Sequence, residues 1–430
     1  MIKILKNEKE IASFLETISR RGQYDQEVIE ERVRKIIDDV KNNGNKACLN
    51  YTEKFDKIKL NKSEILVSNS EIEEAYNNVN KNVLEAIKKA IKNIEKFHKI
   101  QIEKIDPIET VEGVAVGQLI VPYDAVGIYI PGGRAPYPST VLMTAIPAKI
   151  AGVNKIIMTT PPNKDKKINP AVLVAAKESK VDKIFKIGGA QAIAALTFGT
   201  ESIPKVNKIV GPGNIYVNTA KMLLNKDVAI DLPAGPSEIL IIADKNSNAQ
   251  FVADDLLSQA EHDPDTYIFL LTTSNELIER VNNIISNNIE SYSRKDIIKS
   301  SIKKNCYFIY AEKIEDLFEI SNKIAPEHLE IQLMDPIQYK PLIKNAGAVF
   351  FGDYSPVPIG DYAAGSNHVL PTGGLAKFYS GLSTRDFVKY IDTVSSTKKG
   401  LENLKDIVTT LCDVEGFDGH KRTILRRLEE

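Results

Sequence analysis

The chain has few of the residues and runs that mark several large protein classes. Its 430 residues include three cysteines, Cys48, Cys306 and Cys412. They lie far apart and form no CxxC pair, which argues against a disulfide framework and a cysteine-rich metal site and fits a reducing compartment. Neither charge is in excess: 56 Lys and Arg stand against 57 Asp and Glu, a formal net charge of -1. No electrostatic pull toward nucleic acid or an anionic membrane is therefore expected. The N-terminal stretch MIKILKNEKEIASF lacks the apolar core of a signal peptide, and no run approaches the roughly 18 to 20 apolar residues of a membrane span. Fixed-period repeats and low-complexity segments are missing as well. The expectation is a cytoplasmic protein whose ligands are small molecules.

At 430 residues the chain exceeds the size at which one hydrophobic core keeps growing, so two or more domains are expected. Residues 8–104 are charged and helical in pattern, with Ile87, Ile91, Ile94 and Phe97 recurring at spacings of three and four as one buried stripe. From about residue 124 the pattern changes to short β-rich runs, each followed by a glycine turn or loop and an apolar helix, the alternation that builds parallel sheets. AVGIYIPGG leads into STVLMTAIPAKIAG, NKIIMTT into NPAVLVAAKES, DKIFKIGG into AQAIAALTFG, and NKIVGPGN into IYVNTAKMLL, an α/β unit ending near Asp231. A second α/β series follows, with strands EILIIAD, TYIFLLTT, CYFIYAE and AGAVFFGD. After Gly360 the alternation stops, and the end DGHKRTILRRLEE reads as a helical tail of the kind that docks on a partner subunit.

Histidine is also scarce, yet four of the five follow residue 260 in company with carboxylates, amides or glycines. Neutral imidazole is the usual zinc ligand and the usual general base near neutral pH, so that company matters. Gln259 and His262, three apart on a helix spanning 247–262, share a face at its C-terminal end and aim one imidazole nitrogen and one amide oxygen the same way. Glutamine is an uncommon zinc ligand, and a plain polar helix end explains the pair equally well. Glu327 and His328 stand just before the strand HLEIQL, at an element boundary where acid/base chemistry is easily placed, or where a surface turn would stand. Asp361 follows Gly360 in VPIGDYAAGSNH, a loop whose glycines let backbone approach a ligand, or an ordinary Asx turn. His368 ends that loop and is expected to hydrogen-bond the backbone. Glu415 and His420 lie in the tail, where a solvated helix start is the plain reading, and His98 in KFHKI is read as a surface residue.

Three glycine turns, IPGGRAP, KIGGAQA and VGPGN, each follow a strand and precede a helix, the position where helix N-terminal amides bind phosphates. None is a GxGxxG, since Gly211-Pro212-Gly213 continues as Asn214-Ile215-Tyr216. A nucleotide at these strand ends, or tight turns alone, would account for them.

Taken in order, IPGGRAPYPSTVLMTAIPAKIAGV, KIGGAQAIAALTFGT, KIVGPGNIYVNTAK, DLPAGPSEILIIAD, DLLSQAEHDPDT, APEHLEI, GAVFFGDYSPVPIGDYAAGSNHVLPTGG and EGFDGH make the chain resemble the histidinol dehydrogenases along its whole length. Departures such as Leu232 and Phe417 are apolar. The resemblance implies an α/β protein with two Rossmann-like α/β/α domains, an N-terminal helical segment and a C-terminal helical tail exchanged in a homodimer with shared active sites. The implied division is 1–24 for that segment, 25–123 with 236–380 for a discontinuous domain carrying most of the zinc site, 124–235 for the NAD side, and 381–430 for the tail. It further implies oxidation of L-histidinol through L-histidinaldehyde to L-histidine with two NAD⁺ and one Zn²⁺ per subunit, the last step of histidine biosynthesis. By residue, Gln259, His262 and Asp361 would bind zinc together with His420 of the other subunit, and Glu327 and His328 would be the catalytic pair. Substrate would meet Ser237 and Glu415 besides Gln259, His262, His328, Asp361 and His420, while Tyr129, Gln191 and Asn214 would contact NAD.

These residue types suit that chemistry. A metal with open positions can hold the imidazole and amino groups of histidinol and orient its hydroxyl toward a nicotinamide. His328 would take the alcohol proton and Glu327 would polarise a water toward the aldehyde. Covalent catalysis is disfavoured because the cysteines fall outside the matching blocks. Two rivals differ in class: a zinc hydrolase with Glu327 activating metal-bound water, against which the strand, glycine and helix series speaks, and a non-catalytic binding relative, against which the retained polar residues speak.

Overall fold

The structure, a computed structural model, describes residues 2–19, 21, 26–102, 105–132, 135–233 and 235–429. The chain opens with strand β1 (Lys3–Leu5) and helices α1 (Glu8–Ile18), α2 (Gln26–Tyr51), α3 (Asn69–Asn78) and α4 (Lys81–Lys99), then the antiparallel strands β2 (Ile108–Val111) and β3 (Val114–Pro122). Four strand and helix units follow: β4 (Ala125–Tyr129) with α5 (Pro138–Ala151), β5 (Lys155–Thr159) with α6 (Pro170–Glu178), β6 (Lys183–Phe185) with α7 (Gly189–Phe198), and β7 (Lys208–Val210) with α8 (Ile215–Leu224), closed by β8 (Ala229–Ile230). The second series runs β9 (Glu238–Ala243), α9 (Ala249–Ala260), β10 (Tyr267–Thr272), α10 (Asn275–Asn288), α11 (Lys295–Asn305), β11 (Cys306–Tyr310), α12 (Ile314–Ile324), β12 (His328–Gln332), β13 (Ala348–Phe351) and α13 (Val357–Tyr362). The arm comprises β14 (Val388–Ser396), α14 (Lys398–Glu415) and α15 (Asp418–Glu429).

Two all-parallel sheets result. One has the order β6-β5-β4-β7-β8 and the other β1-β11-β10-β9-β12-β13. Parallel strands covered by helices on both faces read as unbroken apolar runs, and EILIIA of β9 is buried at every position. The mixed α/β class with helix-flanked parallel sheets is the one expected from the alternation. Residues 1–24, read as helical, also contribute β1, which extends the six-stranded sheet beside β11. Residues 26–99, grouped above with 236–380, lie on the five-stranded sheet instead: α2 packs on α7 and α8, α3 on α6, and α4 on α5.

His98 is buried, not on the surface. On α4 the inward row is Ile87, Ile91, Ile94 and His98, in steps of four, three and four, so the imidazole occupies the place expected for Phe97, which is 40% exposed. Its Nδ1 is 2.7 Å from Gln101 Oε1, and burial lowers its pKa, leaving a neutral ring that the core accepts.

The segment after α13 turns back across α5. Val369, Leu382 and Phe387 join the core against that helix, and the Asn367 amide donates to the Met143 carbonyl at 2.7 Å. β14 then pairs antiparallel with β3, and α14 packs against β14 and β2. Ile391, Val394, Ile407, Leu411, Val414 and Phe417 leave this arm with an exposed apolar surface.

Candidate active site

A helix between two parallel strands runs back to the edge where the next strand begins. The C-terminal end of α9, with Gln259, and the turn after it, with His262, therefore return to the amino edge of the six-stranded sheet. There β9 opens with Glu238 just after Ser237, and β12 opens with His328 just after Glu327. α9 ends at Ala260, two residues short of His262 rather than at it. Asp361 comes from α13, where Gly360 is required by packing: a Cβ there would lie 2.6 Å from the Phe350 ring.

His328 donates from Nδ1 to the Glu238 carbonyl at 2.9 Å, and its Nε2 stands 3.6 Å from Asp361 Oδ1 with no hydrogen-bond partner. The Glu327 carboxylate accepts from the Glu238 amide at 2.8 Å and lies 3.6 Å from His328 Nδ1. Burial pushes the Glu327 carboxyl up to about 8. Burial pulls the other way on His328, but the facing carboxylates of Glu327 and Asp361 outweigh it and lift the imidazole to about 9. At Asp361, burial works to raise the carboxyl, yet the His328, His368 and His262 imidazoles hold it below its ordinary value. His262 donates its Nδ1 hydrogen to the Gln259 carbonyl at 3.2 Å, which presents Nε2 outward as a lone-pair donor, the orientation that ligating histidines adopt.

The strand-end residues of the other sheet lie at its carboxyl edge, where open parallel sheets bind ligands. Tyr129 closes β4 and accepts from the Gly189 amide at 3.1 Å, and burial pushes its phenol up to about 12. Gln191, on α7, has its Oε1 buried without a hydrogen-bond partner. Asn214 caps α8 by accepting from the amides of Tyr216 and Val217 at 3.0 and 3.2 Å. Gly211 before it has φ +116, and a Cβ there would come 2.3 Å from the Tyr129 carbonyl oxygen. In the IPGGRAP turn, Gly133 and Arg134 lie outside the described residues.

His368 joins the two edges. Its Nδ1 donates to the Asp361 carbonyl at 3.0 Å, while Nε2 accepts from the Thr140 hydroxyl, in the first turn of α5, at 3.2 Å. Burial keeps this imidazole neutral. It bonds backbone, as expected, and supports the loop bearing Asp361.

A family model for histidinol dehydrogenase matches residues 19–428. The chain belongs to the histidinol dehydrogenase family. The histidinol dehydrogenase of Clostridium acetobutylicum is 50% identical over 410 residues, 95% of this chain and 94% of that one, and that of Methanocaldococcus jannaschii is 48% identical over 429, 100% and 98%. The crystal structure of histidinol dehydrogenase from Elizabethkingia anophelis matches the whole fold with a TM-score of 0.95 at 42% identity, covering 100% of this chain and 98% of that one. Membership in the histidinol dehydrogenases makes the chain an NAD-dependent oxidoreductase.

In this histidinol dehydrogenase fold, Glu415 and His420 are not brought to the other site residues of their own chain. Both are exposed on the arm, with His420 stacked on Phe417 at 5.1 Å. Among the described residues of one protomer, no three of His, Cys, Asp or Glu come close enough together to hold a metal ion. Gln259, His262 and Asp361 offer one amide, one imidazole and one carboxylate, a donor set suited to zinc but short of a fourth protein ligand. Burial pushes the Cys48 and Cys306 thiols up to about 12 each, out of reach of thiolate chemistry at neutral pH. Among the described residues no helix is long and apolar enough to cross a membrane.

Residue-by-residue reading of the sequence passed over Arg21, Glu238 and Thr140. Glu238 carried a signal, since a carboxylate heading the otherwise apolar strand EILIIA must find a partner. Arg21 carried none, because its partner is 217 residues away.

Proposed function

We propose that the chain oxidises L-histidinol through L-histidinaldehyde to L-histidine with two NAD⁺, the last step of histidine biosynthesis. The observation that carries this reading is the buried Glu327 and His328 pair, whose imidazole is fixed through Nδ1 and turns Nε2 toward Asp361. His328 Nε2 takes the hydroxyl proton of histidinol as hydride leaves the carbon for the nicotinamide, giving the aldehyde and NADH. Glu327 then steers a water onto the aldehyde carbon. His328 sheds its first proton to solvent, and the hydrate then gives one hydroxyl proton to His328 and its hydride to a second NAD⁺, leaving the carboxyl of histidine, which ionises by losing its remaining proton to water. The high pKa and burial of Cys48 and Cys306 speak against a thiohemiacetal route.

Gln259, His262 and Asp361, with His420 of the partner subunit, would hold one Zn²⁺, which supplies a template for the imidazole and amino groups of histidinol. Ser237 and the partner subunit's Glu415 would complete the substrate's surroundings. Tyr129, Gln191 and Asn214 would bind NAD, the partnerless Oε1 of Gln191 taking a donor hydrogen from it. A homodimer is supported by the arm, which bears Glu415, His420 and an exposed apolar surface at some distance from the sheets that need it. We place the enzyme in the cytoplasm and divide it at about residue 235, with helices α2 to α4 going with the five-stranded sheet and the arm from about 381.

The test is NADH absorbance on mixing protein, histidinol and NAD⁺, before chelation, after it, and after zinc is restored. Two NADH per histidinol, lost and regained with zinc, is expected. No NADH from the zinc-loaded protein overturns the reading.

A further inference from the structure

We infer that Arg21 is a positioning residue for this oxidation, acting through Glu238 to set where Glu327 and His328 stand. The inference rests on the function proposed above. Both backbone polar groups of Glu238 serve the pair: its amide donates to Glu327 Oε2 at 2.8 Å and its carbonyl accepts from His328 Nδ1 at 2.9 Å. The position of a single residue therefore fixes the rotamer of the carboxylate, the tautomer of the imidazole and the direction of Nε2.

Arg21 holds that residue by its side chain. The guanidinium makes a two-pronged bond to the Glu238 carboxylate, Nε to Oε1 at 2.5 Å and Nη2 to Oε2 at 2.8 Å, with side-chain exposures of 2% and 0%. Two further hydrogens go to carbonyls, one from Nη1 to Ile18 at 3.1 Å and one from Nη2 to Ile324 at 2.7 Å. Ile324 ends α12 and Ala325 follows in the left-handed region at φ 52, so this bond fixes the backbone entering Glu327. The Gly373 amide donates to Glu238 Oε1 at 2.9 Å from the other side. One cation thus grips the head of β9 and the tail of α12, the two segments that flank the pair.

A buried ion pair is weak evidence for stability, since apolar residues of similar volume often serve as well. What the planar fork of Arg supplies, and apolar packing does not, is orientation. Without Arg21 the Glu238 carboxylate is left buried against the Gly373 amide alone, and the head of β9 must shift to relieve it. Arg21 touches neither substrate nor cofactor. Alcohol oxidation uses His328 alone, whereas aldehyde oxidation needs Glu327 and His328 in register, so misplacement weighs more on the second step.

The experiment compares zinc-loaded wild type with Arg21→Met, Arg21→Lys and Glu238→Gln, measuring the pre-steady-state rate of the first NADH from histidinol and kcat for added histidinaldehyde, with the half-saturating concentration of each substrate, beside metal content. For Arg21→Met we expect the first-NADH rate on histidinol to fall about tenfold and kcat on histidinaldehyde about a hundredfold, the scale of an ångström of misplacement, with both half-saturating concentrations within about threefold. Arg21→Lys restores part of the aldehyde rate because it keeps the charge. Should Arg21→Met fail to fold, Glu238→Gln, which keeps the shape and loses the ion pair, reads the same ratio. Equal falls on both substrates, the mark of a reduced folded fraction, overturn the inference, as do unchanged kinetics. An inactive wild type instead overturns the proposed function itself.

Discussion

His328 gives its Nδ1 hydrogen to the carbonyl of Glu238 at 2.9 Å, so Nε2 is the ring atom left to take a proton. It does so only when deprotonated, and the carboxylates of Glu327 and Asp361 lift its pKa to about 9 against the effect of burial. The fraction of active base grows as pH rises toward that value. kcat/KM for histidinol should therefore climb between pH 7 and 9, and His328→Ala should lower kcat roughly 10²- to 10⁴-fold. A pH–rate profile that is flat over this range would refute the assignment of His328 as base.

Lys221, on α8, and Asp231 form an ion pair with both side chains 1% exposed. Lys221 also donates to the Gly211 carbonyl at 3.0 Å, and Asp231 accepts the Gly211 amide at 2.7 Å, so the pair clamps the turn leading to Asn214. Lys221→Met strands a buried carboxylate, and a loss of about 3 to 5 kcal/mol is expected in denaturant unfolding. The folded fraction should show a raised KM for NAD⁺, while KM for histidinol stays put.

Glu330 and Asp255 are buried together on one amide, Gln332 Nε2, at 3.0 and 2.8 Å, and Glu330 also accepts the Val357 amide that begins α13 at 3.0 Å. Burial, then the Asp255 charge, raises the Glu330 carboxyl from an ordinary 4.5 to about 8. An acid whose folded pKa is raised stabilises the fold fully below its unfolded value and loses that contribution as pH climbs through the folded one. Glu330→Gln should flatten the pH dependence of stability between about pH 5 and 9. Thermal unfolding of both proteins across that range checks it, and parallel curves would count against a raised Glu330 carboxyl.

If His420 completes the zinc site of the partner subunit, His420→Ala and His262→Ala protomers are each inactive alone. Re-dimerised at equal amounts, half the dimers are mixed and one site in each is native, so about a quarter of wild-type activity should return. Mixed dimers that stay inactive would exclude ligand exchange between subunits.

Local pattern was enough for β4 to β7, because each is an apolar run stopped by a turn and followed by an apolar helix. The Glu327 and His328 pair was legible for a similar reason, standing at an element boundary. β1 was not, since three residues of KIL give no period to read until β11 lies beside them. His98 misled because a titratable residue among lysines looks solvated, yet its helix phase puts it inward and Gln101 satisfies one of its nitrogens. The support beneath the pair was hidden for a deeper reason. Arg21 and Glu238 recognise each other across 217 residues, a distance over which spacing carries no information.

The Glu327 and His328 pair stands at the amino edge of the six-stranded sheet, where β9 and β12 begin, whereas Tyr129 and Asn214 stand at the carboxyl edge of the five-stranded one. Asn246, exposed in the turn after β9, stands at the opposite, carboxyl edge of the six-stranded sheet, on the order of 17 Å along the strand from Glu238. A dye or surface tether fixed at Asn246 would ride on the strand beside the one that carries Glu327 and His328 without crowding them, which makes that turn the natural anchorage for an immobilised form of the enzyme.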